Sequence, residues 1–312
     1  MSEAPFPSTL SRLTSRPDLE QVVARPGFPS AAWRALELEV ELRRADAVFV
    51  KAIDDIGLYV ALALAIHLHQ TPDGLTHAGL ARALGMADVA SRGRARKVLR
   101  HLLAAGYIAA APQGGDRREQ RYQPTPDLAV RMRAHYQMIL DAAAPLMPAA
   151  GRALAALADD RFFRLFTAVQ GEAMMWSALQ MRDESALTLA FFSDRTAGMN
   201  ILAHLLLCAG KGETFPSRAP LKTSISRLAR ESGVSRPHVR KLLEDAEGVG
   251  FLSRDAGGGL AATPLLADHA RLWMAIRFCF AELVAEEALQ RRGGLEALAG
   301  LTPAHGANQA EP

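Results

Sequence analysis

Cysteine occurs twice in 312 residues, aromatic residues make up only 6%, and no apolar run is long enough to serve as a membrane span. Each shortage excludes something. Cys208 and Cys279 both lie in apolar helical stretches, which predicts buried free thiols in a reducing compartment and excludes a disulfide framework. A bilayer-crossing helix needs ~18 consecutive apolar residues, so no membrane partner is expected. The N-terminus carries Pro, Ser and acidic residues where a secretory signal has a basic start and an apolar core. A cytoplasmic, nucleoid-associated protein is therefore expected.

Catalytic and metal-binding patterns are missing as well. There is no Cys-x-x-Cys and no His-Glu-x-x-His, hence no zinc signature. His67 and His69 stand about 200° apart around a helix and cannot share a metal. Around Gly210-Lys211-Gly212, Leu205 occupies the place of the first glycine of a phosphate loop, and Gly212 that of its Ser or Thr. Asp54-Asp55 and Asp159-Asp160 are adjacent pairs pointing to different sides of a helix, which suits caps and surface charges better than acid–base dyads. No cofactor and no enzymatic activity are expected.

What the chain does have is Ala and Leu, which favour helix, within 49% apolar and 22% charged residues, the balance of a folded protein of two ordinary domains. The net charge of +3 is unevenly spread. Between Thr71 and Pro126 nine Lys and Arg face four Asp and Glu; between Pro216 and Leu265 eight face five; the remainder is acidic. Positive charge thus gathers in two segments, as a phosphate-binding surface requires.

Each of those segments holds a similar stretch. Ser235-Arg236-Pro237-His238-Val239-Arg240-Lys241-Leu242-Leu243 begins with a Ser able to cap a helix and continues with basic residues on one face and aliphatic ones on the other. Ser91-Arg92-Gly93-Arg94-Ala95-Arg96-Lys97-Val98-Leu99 is a looser copy. The surroundings repeat too. An apolar helix over Leu58–His69 precedes a short helix from Thr76 to Leu84, closed by Gly85. The basic helix from Ser91 stops at Gly106, and two short strands, Tyr107–Ala111 and Gln120–Gln123, flank a hairpin tip at 114–118. In the second half the order is an apolar helix over Asn200–Cys208, a short helix from Thr223 to Glu231, the helix from Ser235 to Glu247, and strands Phe251–Arg254 and Leu260–Thr263. Leu80-Ala81-Arg82…Gly85 matches Leu228-Ala229-Arg230…Gly233 at a spacing of 148. Arg96-Lys97 and Gly106 match Arg240-Lys241 and Gly250 at 144, and Thr125-Pro126 matches Thr263-Pro264 at 138. Ordered matches with slowly shrinking spacing indicate duplication.

The expected organisation is a disordered arm over residues 1–30, a first unit with flanking helices over 31–146, a helical connector over 147–195, a second unit with its C-terminal helix over 196–296, and a disordered tail over 297–312. Pro145 and Pro148 should break the connector's helices. Met174, Met175, Trp176, Met181, Phe191 and Phe192 form a soft apolar cluster there. It reads as core or helix interface, with a small-molecule effector pocket as the sharper alternative.

Helix, helix, helix and basic hairpin is the order of a winged helix. Each unit resembles the winged helix-turn-helix of bacterial transcription regulators over about 50–60 residues. The second, with Leu228-Ala229-Arg230, Gly233-Val234-Ser235-Arg236 and Gly250-Phe251-Leu252, is similar to GntR-type repressors; the first resembles MarR-type proteins through its Asp116-Arg117-Arg118 wing tip. The resemblance implies a mainly α protein with two small β-wings, joined and flanked by long helices, that reads double-stranded DNA as a sequence-specific regulator. Carried over residue by residue, Arg92, Arg94 and Arg96, and Arg236, His238 and Arg240, would meet base edges in the major groove. Lys97 and Lys241 would hold phosphates, Lys222 and Thr223 would belong to the DNA-binding set, and Ser91 and Ser235 would cap their helices and touch the backbone. Arg117, Arg118 and Arg121 suit a narrow minor groove, with Asp116 orienting one of them; the second wing offers only Arg254. Both families usually carry one such unit, so the tandem arrangement departs from them. One chain could then approach two half-sites, and the outer helices leave room for a homodimer. Three alternatives stay open: a plasmid or phage replication initiator, a tandem winged-helix protein-interaction module, and an enzyme that dimerises through a winged helix.

Overall fold

The computed structural model describes residues 15–46, 49, 56–87, 92–112, 120–177, 191–193, 195–217, 219–254 and 259–301. In chain order the elements are α1 (Arg16–Val23), α2 (Phe28–Ala45), α3 (Ile56–His69), β1 (Leu75–Thr76), α4 (His77–Met86), α5 (Arg92–Ala104), β2 (Ile108–Ala110), β3 (Arg121–Pro124), α6 (Pro126–Ala143), α7 (Pro148–Ala156) and α8 (Asp160–Ser177). They continue with α9 (Gly198–Cys208), α10 (Ile225–Ser232), α11 (Arg236–Gly248), β4 (Leu252–Arg254), β5 (Leu260–Ala262) and α12 (Pro264–Leu301). The protein is mainly helical with a few short strands. No described helix is long and apolar enough to cross a membrane.

A helix that is apolar on every side belongs in the middle of a fold. That helix is α3: all seven residues from Val60 to Ile66 are buried. It packs on α8, α4, β1 and β3. Gly171 allows the α8 crossing, since a Cβ there would lie 2.4 Å from the Cβ of His67.

The duplication inferred from sequence is repeated bond by bond. After α5 the chain turns at Gly106 (φ 72°), where Tyr107 N donates to Leu102 O; after α11 it turns at Gly250 (φ 81°), where Phe251 N donates to Ala246 O. Glycine is needed at both, because left-handed backbone disfavours a Cβ. Thr125 Oγ1 donates to the carbonyls of Gly106 (2.8 Å) and Tyr107 (3.2 Å) and accepts from Leu128 N (3.3 Å), which ties the hairpin's end to the start of α6. Thr263 does the same with Gly250 (2.7 Å), Phe251 (3.1 Å) and Leu266 N (3.3 Å) at the start of α12.

The copies differ in their sheets. The first has three antiparallel strands in the order β1-β3-β2, with Leu75 opposite Tyr122 and Ala109 opposite Gln123. The second pairs β4 with β5, Ser253 opposite Ala261, and has the bond Leu221 N to Leu260 O (2.8 Å) where the first copy has β1.

Several expected boundaries are corrected. Residues 16–23 of the supposed arm form α1, because Leu19 and Val22, three apart, make an apolar stripe that is buried where α1 packs on α12. Arg16 adds an ion pair to Asp268 of α12 at 2.8 Å. The C-terminal helix expected within residues 196–296 runs on to Leu301, past the start of the supposed tail at 297. Gly85 does not close its helix, since α4 continues to Met86, whereas Gly233 (φ 65°) does cap α10. Finally, α10 starts at Ile225 with Ser224 as its cap, so Thr223 lies just outside it.

The two copies share one core, which runs unbroken from Leu19 to Ala288. Helix α12 follows the second hairpin yet lies against α1, α6, α7 and α8. Its Glu282 carboxylate accepts from Ala149 N (3.0 Å) and Ala150 N (2.8 Å) at the start of α7, where a negative charge suits free backbone amides. Phe28 packs edge-on against both Phe215, in the loop after α9, and Phe278 of α12.

A polar knot sits inside this core. Glu39 of α2 accepts from Arg43 Nη2 (2.7 Å) and from Arg277 Nη1 of α12 (2.8 Å), and Arg277 also lies over the Trp273 ring. Burial alone would raise the Glu39 pKa, but the Arg277 and Arg43 guanidiniums outweigh it and hold the carboxyl at about 2. Close by, Tyr59 Oη of α3 meets His135 Nε2 of α6 (3.3 Å) and accepts from Gln170 Nε2 of α8 (3.2 Å). Burial, reinforced by Arg277, lowers His135 to about 4, so the imidazole is neutral.

Candidate nucleic-acid interface

The two basic helices owe their orientation to the same spacing of aliphatic residues. Helix α5 buries Ala95, Val98, Leu99 and Leu102, and α11 buries Val239, Leu242, Leu243 and Ala246, each 144 positions further on. Residues at i, i+3, i+4 and i+7 share one helix face, so the remaining positions turn outward. On α5 these are Arg94, Arg96, Lys97, Arg100 and His101, all exposed; on α11 they include Arg236, Arg240, Lys241 and Glu244. Ser235 caps α11, its Oγ accepting from His238 N at 3.3 Å. The preceding short helices are capped alike, Thr76 accepting from Gly79 N (3.0 Å) and Ser224 from Arg227 N (3.2 Å).

Arg236 and Arg240 stand one turn apart on α11, exposed and with no ion pair among the described residues. Arg96, Lys97 and Arg100 line α5 in the same condition. Arg121 is exposed on β3, its side chain lying over the Thr71–Gly74 turn, 3.7 Å from where a Cβ on Gly74 would stand. Lys222 is exposed just ahead of α10, its backbone N donating to Cys208 O. Ser91, Asp116, Arg117 and Arg118 lie outside the described residues, as does the side chain of Arg92.

Three of the expected contacts are already engaged within the protein, and a fourth residue, Thr223, is turned partly inward. His238 is half-buried, and its Nε2 is 2.9 Å from Thr196 O, so it pins the segment before α9 to α11. Lys241 Nζ bonds Asp245 Oδ1 at 2.8 Å; this bond raises the lysine and lowers the aspartate. Arg254 grips Glu247 through both Nε (2.9 Å) and Nη2 (2.6 Å), an exposed bidentate pair that raises its own pKa. Thr223 is half-buried, with no hydrogen-bond partner for its hydroxyl. Arg100 is the cation that sequence reasoning passed over, although it stands four residues beyond Arg96 on the same face.

Phe191 and Phe192 of the soft apolar cluster pack on Phe251 at the base of the second hairpin, while Met174 is buried on α8. The side chain of Trp176 and all of Met181 lie outside the described residues. Among the described residues no group of three His, Cys, Asp or Glu could hold a metal ion. Cys208 and Cys279 are unpaired and partly buried, and burial pushes the Cys279 thiol up to about 11, an unreactive state.

Comparison of the chain with models of known families, with curated proteins and with solved structures found no match.

Proposed function

We propose that the protein is a sequence-specific regulator of transcription that binds double-stranded DNA through two winged helix-turn-helix units and has no catalytic role. One observation carries the reading. A single helix–helix–hairpin frame occurs twice with the same closing hydrogen bonds, and in both copies arginines stand outside on the second helix. A major groove ~12 Å wide admits such a helix, and exposed guanidinium forks fit the paired acceptors of guanine. On this reading Arg92, Arg94 and Arg96 of the first unit and Arg236 and Arg240 of the second enter the major groove. Lys97, Arg100, Arg121 and Lys222 meet phosphates. Because one chain carries both units, the reading requires no second chain.

The test begins with selection of duplexes from a random pool and mapping of bound sites on the genome. Arg236→Ala and Arg240→Ala are then titrated against the selected duplex at fixed salt. Each should lose about 1–3 kcal/mol, roughly 5- to 150-fold in affinity. Wild-type affinity in both would refute the assignment. Bound sites clustered as repeats at a replication origin, away from promoters, would replace the regulator with a replication initiator.

A further inference from the structure

We infer that the two units divide the work on duplex DNA: the first grips backbone phosphates whatever the sequence, and the second inspects bases through Arg236 and Arg240. The inference rests on DNA binding as proposed above, and concerns how the two surfaces share it.

The surfaces are built on one frame but charged differently. Helix α5 carries no acidic residue from Arg92 to Ala104, whereas α11 carries Glu244, Asp245 and Glu247. Where α5 has Arg100 and His101, α11 has Glu244 and Asp245 at the equivalent positions. The consequence shows in the ion pairs. Arg96, Lys97, Arg100 and Arg121 are exposed and make none among the described residues. In the second unit Lys241 is held by Asp245, Arg254 by Glu247, and Arg227 by Glu231 at 3.0 Å. An unpaired cation that meets a phosphate releases a condensed counterion, and each such contact steepens the salt dependence of binding. A cation already neutralised by its own carboxylate releases none, and that carboxylate repels a phosphate brought close. Nonspecific, salt-sensitive affinity therefore comes from α5 and β3. The acidic end of α11 penalises duplexes on which Arg236 and Arg240 find no guanine, a repulsive element of the kind that sharpens specificity.

The test uses the full chain, titrated with a selected duplex and a random-sequence duplex over a range of salt. The triple variant Lys97→Gln/Arg100→Gln/Arg121→Gln should flatten the log–log salt slope by about 3 and weaken random-duplex binding at least about tenfold. Glu247→Gln, which frees Arg254, should steepen the slope by about 1 and narrow the gap between the two duplexes. Asp245→Asn, which frees Lys241, should act in the same direction; Asp245 also pairs with Arg195 at 3.6 Å, and should the loss of that contact unfold the chain, Glu247→Gln still decides. Arg236→Gln/Arg240→Gln should remove most of the preference for the selected duplex and flatten the slope by less than the triple variant does. A flattening equal to that of the triple variant, or a Glu247→Gln protein with unchanged slope and unchanged random-duplex affinity, would overturn the division of labour while leaving DNA binding intact. No salt-dependent duplex binding by the wild-type chain would remove both this inference and the reading beneath it.

Discussion

Replacing Glu39 by Gln would leave two guanidiniums, Arg43 and Arg277, buried beside a neutral amide. The Glu39 side chain is only 8% exposed and that of Arg43 7%, so water cannot take over the lost charge. Removing one partner of a buried ion pair costs about 3–5 kcal/mol. The titration of the carboxyl leads to the same size by another route. Its pKa falls from 4.5 to about 2, which through linkage amounts to about 3 kcal/mol. An unfolding entropy of about 2.1 cal/mol/K per residue over 312 residues then converts the loss into roughly 5–8 °C of melting temperature at pH 7. The sign of the pH dependence follows from the lowered pKa: the contribution is complete above the unfolded value of 4.5 and disappears as pH falls to about 2. Glu39→Gln and wild type should therefore differ by several degrees at pH 7 and converge near pH 2, measured by thermal or urea unfolding. A difference under about 1 °C at neutral pH, or one that persists undiminished in acid, would refute the account of the knot.

His135 should titrate stability in a higher window. Its pKa is depressed from 6.5 to about 4, so its share is complete above 6.5 and is lost on the way to 4; His135→Gln should remove about 3 kcal/mol of that loss, and urea midpoints falling as steeply as in wild type would count against it. Gly171→Ala should lower the free energy of urea unfolding by about 1–3 kcal/mol despite alanine's better helix propensity, because the new methyl collides with the Cβ and Cγ of His67; a stabilised variant would mean that α3 and α8 can separate freely. Thr125→Val and Thr263→Val should each cost about 1–2 kcal/mol, since each hydroxyl caps a long helix and bonds two carbonyls of the preceding turn; unequal losses would show that the two closures are not equivalent.

The features legible in the sequence are those set by neighbours along the chain. The apolar run of α3, the stops at Gly106 and Gly250 and the repeat itself depend on spacing alone, and the structure places them as read. Strand β1 was not legible, because two residues become a strand only by pairing with Arg121 and Tyr122. Nor was α1: the Pro, Ser and Arg of the segment around it suggest a loose arm, and its two buried residues count only once α12 lies beneath them. The far end of α12 defied Gly293 and Gly294, each a helix-weakening residue. Just ahead of them, Arg291 is fixed to Glu172 of α8 and to Glu287. At the candidate interface the exposed faces were readable but the availability of the charges was only partly so. Lys241 and Asp245 stand four apart on a helix, a pairing that spacing alone could have announced. The grip of Arg254 on Glu247 crosses from strand to helix, and that of Arg277 on Glu39 spans 238 positions, so neither follows from local pattern.

On the proposed reading, the shared core changes what two DNA-binding units on one chain can do. Units on a flexible linker bind independently and gain from each other only through effective concentration. Here α12 leaves the second hairpin at Thr263 and lies against helices of the first half, with Glu282 seated on the start of α7 and Arg277 locked to α2. On the proposed reading the distance between α5 and α11 is set by packing, and the ordering cost that a linker would impose on binding has already been met in folding. Such an arrangement favours duplexes whose two contact sites have one spacing and disfavours all others, so spacing itself becomes part of the recognised sequence. On the same proposed reading the buried knot has a functional consequence. Glu39, Arg43 and Arg277 join the helix ahead of the first unit to the helix behind the second, so on that reading a loosened junction relaxes the spacing of the two proposed surfaces.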